Sequence, residues 1–113
     1  MAGFDELQRL LVSFYDERDW RQFQTPKDVA ASLAIEAGEV KELFLWLGPS
    51  EQQRVLDGRK AELEDELADV VINSLNLAFL AGIDLDAAVR SKLTDLADRH
   101  PADEVRGEVI PHV

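Results

Sequence analysis

The chain has 113 residues, 46% of them hydrophobic and 31% charged, which is ordinary for one globular domain with a real but thin core. A net charge of −11 argues against nucleic acid as a partner, because no basic stripe exists to displace counterions from phosphates. The absence of cysteine excludes disulfides and thiolate metal sites and fits a reducing, cytoplasmic setting.

The N-terminal MAGFDELQRL lacks a basic segment followed by an apolar run, so no signal peptide is expected. The longest apolar stretch, 70–83, is interrupted by Asn73, Ser74 and Asn76 and is too short to span a bilayer, so no membrane partner is expected. Helical periodicity recurs throughout. Phe4, Leu7, Leu10, Leu11 and Phe14 mark a first helix. After a non-helical link, ERDWRQFQ, Thr25 is placed as N-cap and Pro26 at the first position of a second helix. That helix is expected to run to Leu47 and stop at Gly48-Pro49. Ser50-Glu51-Gln52-Gln53 has capping-box spacing and is expected to open the next helical stretch, with an interruption at Gly58. A long helix over about 59–81 is closed by Gly82, and Asp84 caps a last one through about Arg99. Beyond Pro101, ADEVRGEVIPHV has little periodicity and is expected to be an extended tail. The reading is an all-α bundle of four to five helices over residues 1–101, with a tail at 102–113.

Two acidic pairs stand out, Glu36/Glu39 and Glu66/Asp69. Residues three apart share a helix face, so each pair projects its carboxylates in nearly one direction. Most acids on helices are solvated, and Glu51, Asp57, Glu64, Asp65, Asp86 and Asp98 are read that way. Glu36 is different, because it falls inside the apolar stripe Val29, Leu33, Val40, Leu43, Leu47. On the long helix, Leu63, Leu67, Val70, Ser74, Leu77 and Ala78 form the expected core arc. Glu62, Glu66, Asp69, Asn73 and Asn76 form a polar stripe beside it. From Val70 onward this helix is apolar over most of its circumference, so self-association is expected.

Carboxylates next to a core need a cation. The two histidines, His100 and His112, lie at or past the end of the last helix, which removes imidazole ligands. Oxygen-only donors favour Mg²⁺, with Mn²⁺ as the alternative, and Mg²⁺ retains places for water and substrate phosphates. Lys92 and Arg99 share a face of the last helix and are candidate phosphate-binding groups. Their ordinary alternative is that of surface cations. Trp20, Phe23 and Trp46 are candidate walls for a base, or simply core and interface aromatics.

The blocks FYDERDWRQFQTPKDVAASLAIEAGEVKELFLW and ELEDELADVVINSLNLAFLAGIDLDAAVRSKL resemble the MazG-like, all-α nucleoside triphosphate pyrophosphatases, most closely the dCTP pyrophosphatase branch. The E-x-x-E and E-x-x-D signature of that family is carried by Glu36, Glu39, Glu66 and Asp69. The resemblance covers roughly residues 4–101. It implies Mg²⁺-dependent hydrolysis of a nucleoside triphosphate to monophosphate and pyrophosphate, a dimer or tetramer with sites near subunit interfaces, and housekeeping of the nucleotide pool. Under this reading Glu36 or Glu39 orients the attacking water, Lys92 and Arg99 neutralise pyrophosphate, and Gln24 or Asn73 hydrogen-bonds the base. The chain departs from the family at Gln24, where histidine is common, and at Asn73, where close relatives carry tyrosine. It also lacks the basic run before Pro101 and the Lys-Tyr tail, which keeps open a binding module that has lost catalysis. A helical adaptor is a third reading and leaves Glu36 unexplained.

Overall fold

The computed structural model describes residues 3–109. Six α-helices are present and no strand is found among the described residues. They are α1 (Gly3–Glu17), α2 (Pro26–Glu42), α3 (Pro49–Gly58), α4 (Lys60–Ala81), α5 (Leu85–Arg99) and α6 (Ala102–Val105), with a 3₁₀ turn over Arg21–Phe23. The principal packing is α2 against α4, with α1 on α4, α5 on α1 and α3 on α4.

Local chemistry sets most boundaries. Thr25 Oγ1 accepts from the Asp28 amide at 3.2 Å, and Pro26 occupies the first turn, where its missing N–H leaves nothing unsatisfied. Gly82 ends α4 in the left-handed region at φ 67°, and the Ile83 amide reaches back to the Ala78 carbonyl at 2.8 Å. Asp84 Oδ1 accepts from the Ala87 amide at 3.0 Å to open α5.

Three boundaries differ from the sequence expectation. α2 stops at Glu42 rather than Leu47, because the chain tightens into three-residue hydrogen bonds. Leu43 donates to Val40 and Phe44 to Lys41, and Trp46 then takes a left-handed φ of 67°. α3 is opened by extended Gly48 and Pro49, with no side-chain cap, so Ser50 lies inside the helix. The tail is not wholly extended: His100 leaves the helix before Pro101, and Pro101 restarts a short turn by accepting from Glu104 and Val105. His112 lies outside the described residues.

The core is small. Val29, Leu43, Val55, Leu75 and Ala78 are its buried hydrophobic members, and Asn76 is buried with them. The expected core arc of α4 is displaced: Leu67 is 48% exposed, whereas Asn76, from the polar stripe, is 2% exposed. Glu66, Asp69 and Asn73 are half-buried. Periodicity assigns acidic positions to the solvent side, whereas α2 docks over the border between the apolar arc and the acid-bearing stripe. The apolar remainder, including Leu67, Val71, Ile72 and Phe79, is open to solvent in one chain, as are Leu7, Leu10 and Phe14 on α1. The radius of gyration is 17.2 Å, against about 13 Å for a compact chain of this length. Among the described residues no single helix is long and apolar enough to cross a membrane.

Candidate active site

Glu36 and Glu39 come from the middle and last turns of α2, and Glu66 and Asp69 from the facing stretch of α4. A carboxylate oxygen from each of Glu36, Glu39 and Glu66 lies within 4.8 Å of the other two. Asp69 is near enough to Glu36 for its charge to raise that residue's proton affinity. No lysine or arginine forms an ion pair with these acids among the described residues.

Such crowding disfavours full ionisation. Glu36 is held above the ordinary carboxylate range, chiefly by hydrogen bonding with the Glu39 carboxyl, then by burial and by the charges of Glu39 and Asp69. Glu66 is pushed up to about 7, again first by Glu39, then by burial and neighbouring charge. Glu62, one turn before Glu66 on the same stripe, behaves oppositely because Arg59 hydrogen-bonds it and lowers its pKa.

Glu36 Oε2 and Glu66 Oε2 are buried without a hydrogen-bond donor. Orphaned carboxylate oxygens on two facing helices need a cation or shared protons. Oxygens around Mg²⁺ at about 2.1 Å stand roughly 3 to 4 Å from one another, so small rotamer movements bring this group to that spacing. The donor set therefore fits a hard divalent ion.

Asp69 links this cluster to a cavity of about 350 Å³ between α1, α2 and α4. Phe23, Gln24 and Asn73 line it, together with Tyr15, Asp28, Val29, Ser32 and Ile72. The 3₁₀ turn that carries Phe23 is held by Arg21. Its Nε donates to Asp16 at 2.7 Å, its Nη2 to the Val12 carbonyl at 3.3 Å, and its guanidinium lies 4.6 Å from the Phe79 ring centroid. Burial raises the Tyr15 pKa, and the nearby Arg21 charge partly opposes this.

Other sequence candidates lie elsewhere in one chain. Trp20 stacks edge-to-face on Phe14 at 5.7 Å and is not part of the cavity wall. Trp46 is 91% exposed beyond the end of α2. Lys92 and Arg99 are exposed on α5, at 3.9 and 3.0 Å from Asp95, and α5 packs chiefly on α1. Tyr15, Asp28 and Ser32 were not singled out from the sequence. Asp28 and Ser32 precede Glu36 at four-residue steps on α2, a spacing that places all three on one face.

The sequence pattern of the MazG-like family matches residues 31–108, which include all four acids. The chain belongs to the MazG-like family. Among curated relatives of this MazG-like chain, dCTP pyrophosphatase 1 of Rattus norvegicus is 37% identical over 110 residues, covering 96% of this chain and 65% of that protein. The Homo sapiens protein of the same name is 38% identical over 100 residues, covering 87% and 59%. This chain thus spans less than two thirds of the length of both. A crystal structure of a pyrophosphatase from Archaeoglobus fulgidus has the same fold, with a TM-score of 0.80 and 39% identity, covering 86% of this chain and 91% of that one.

Proposed function

We propose that this chain is a Mg²⁺-dependent nucleoside triphosphate pyrophosphohydrolase that cleans the cytoplasmic nucleotide pool, acting on dCTP or a modified nucleotide. Water attacks the α-phosphorus, the α-phosphorus to bridging-oxygen bond breaks, and the products are a nucleoside monophosphate and pyrophosphate. The observation that carries this reading is the three-carboxylate group within 4.8 Å, joined through Asp69 to a cavity large enough for a base. The names of the relatives point to the same activity.

Glu36, Glu39, Glu66 and Asp69 would hold Mg²⁺, or Mn²⁺ in its place; the ion supplies positive charge to the triphosphate when bound. Glu36 or Glu39 orients the attacking water. Phe23 offers an apolar wall to the base, and Gln24 and Asn73 offer polar contacts. A second copy of the chain would cover the exposed apolar surfaces of α1 and α4, giving a dimer or tetramer. In such an assembly Lys92 and Arg99 reach phosphate from a neighbouring copy, and Trp20 and Trp46 complete the base site from the interface.

A second reading is supported by one observation: Lys92 and Arg99 both lie beside Asp95, whose opposite charge offsets part of their attraction for phosphate. It is a nucleotide- and Mg²⁺-binding oligomer with impaired turnover. A panel of nucleoside triphosphates with Mg²⁺ or Mn²⁺ and a pyrophosphate readout separates the two. The enzyme reading expects release from at least one nucleotide, abolished in folded Glu39→Gln and Asp69→Asn. Thermal stabilisation by nucleotide without any release supports the second reading instead.

A further inference from the structure

Asn76 is 2% exposed in an otherwise apolar core, where an aliphatic side chain would pack with no polar group to satisfy. Its Nδ2 donates to Gln24 Oε1 at 2.8 Å, joining α4 to the link before α2. We propose that Asn76 is a positioning residue that fixes the Gln24 amide and so makes the cavity select nucleobases bearing an exocyclic amine beside a ring acceptor nitrogen, the cytosine pattern, over uracil and thymine. The proposal rests on the nucleotide reading above and supplies the chemical basis for its choice of base.

The donor and acceptor inventory leads there directly. With its carbonyl oxygen engaged by Asn76, Gln24 retains an NH₂ group, and Gln24 lines the cavity. Asn73 is fixed the other way. Its Nδ2 donates to the Asp69 main-chain carbonyl at 2.9 Å, a bond that only the nitrogen end can make. The free end of Asn73 is therefore its oxygen, an acceptor on the same cavity. The Asp28 carboxylate adds a second acceptor. One donor with two acceptors matches an acceptor N3 beside an N4 amine. Uracil and thymine present an N3–H and an O4 carbonyl, which oppose donor to donor and acceptor to acceptor. A site whose polar groups are left unpaired rejects the mismatched ligand more strongly than an apolar site can.

The experiment is calorimetric titration of the whole chain with dCMP and with dUMP, in Mg²⁺ buffer, for the wild type, Asn76→Leu and Gln24→Glu. The wild type should bind dCMP about tenfold or more tightly than dUMP, the scale of one or two reversed hydrogen bonds. Asn76→Leu frees the Gln24 amide to rotate and should bring the ratio to within about threefold, whereas loss of a merely structural contact lowers both affinities together. Gln24→Glu leaves the Asn76 bond intact and replaces the donor with an acceptor, so it should move the ratio toward dUMP even if Asn76→Leu does not fold. Equal binding of the two nucleotides by the wild type, no binding of either, or an unchanged ratio in both folded variants overturns the proposal. Base preference without pyrophosphate release from any triphosphate would contradict the proposed activity and leave this inference standing. Equal binding alongside active hydrolysis would do the reverse.

Discussion

Two regions of this small molecule invert the usual distribution of side chains. The α2–α4 seam is its most extensive helix–helix contact among the described residues, yet it carries Glu36, Glu39, Glu66, Asp69, Asn73 and Asn76. The outer faces of α1 and α5 carry Leu7, Leu10, Phe14 and Leu93, which stand open to solvent in one chain. A seam that holds orphaned acids is less stable than an apolar one would be, and under the proposed function its polarity holds the metal and nucleotide. In the proposed assembly, the apolar face left outside is what a second copy covers. The contrast separates residues whose replacement should change chemistry from those whose replacement should change assembly.

The largest effect should come from the seam. Glu39→Gln should lower pyrophosphate release about a hundredfold or more, since the charge it helps to hold contributes several kcal/mol. Because Glu39 is the leading cause of the raised proton affinity of both Glu36 and Glu66, the same variant should melt higher than the wild type in EDTA at pH 8. A parallel fall in activity and in metal-free melting temperature would remove the distinction between the two regions.

On the outer face, Leu10→Glu should leave the metal response of the chain intact while weakening association. Leu10 is 61% exposed in one chain, and burying a leucine contributes about 1.5–3 kcal/mol. Sedimentation velocity would then show a smaller species at equal concentration. An unchanged sedimentation coefficient would indicate that α1 is not an interface.

The pH dependence sharpens the comparison further. Glu66 has a folded pKa of about 7, above its ordinary value of 4.5. Its protonated form is favoured by folding, so its contribution is fully present below pH 4.5 and is lost as pH rises through 7. Metal-free protein should therefore melt progressively lower between pH 5 and pH 8. Mg²⁺ competes with those protons, so the rise in melting temperature that it produces should be larger at pH 8 than at pH 6. The smallest effects should lie in the α4–α5 corner, outside both regions. Asp84→Ala removes a helix cap and should cost about 1 kcal/mol by chemical denaturation with the metal response unchanged.

Much of this was legible in the sequence where the signal is local. Thr25-Pro26, Gly82 and Asp84 state their caps within three or four residues. The misplaced Glu36 announced itself by falling on the stripe of Val29 and Val40. What was hidden depends on partners distant in sequence. Leu67 and Asn76 exchanged their expected exposures because α2 decides which side of α4 is inner, and it docks partly on the acid-bearing stripe that polarity alone assigns to solvent. Leu43 to Leu47 read as helix by composition, but competing three-residue hydrogen bonds and the left-handed Trp46 end α2 early. Arg21 carries no local mark in the sequence, and only the tertiary fold joins it to Asp16, Val12 and Phe79. Asp28 and Ser32 were within reach of a four-residue count back from Glu36. The cavity that both of them line, which forms only when α1, α2 and α4 pack together, was not.

The most direct test of the central claim is calorimetric titration of the chain with Mn²⁺ at pH 8, beside Glu66→Gln prepared in the same way. The account predicts at least one saturable site per chain in the wild type and its loss in the folded variant. Saturable binding that survives Glu66→Gln unchanged, or no binding by the wild type, would contradict it.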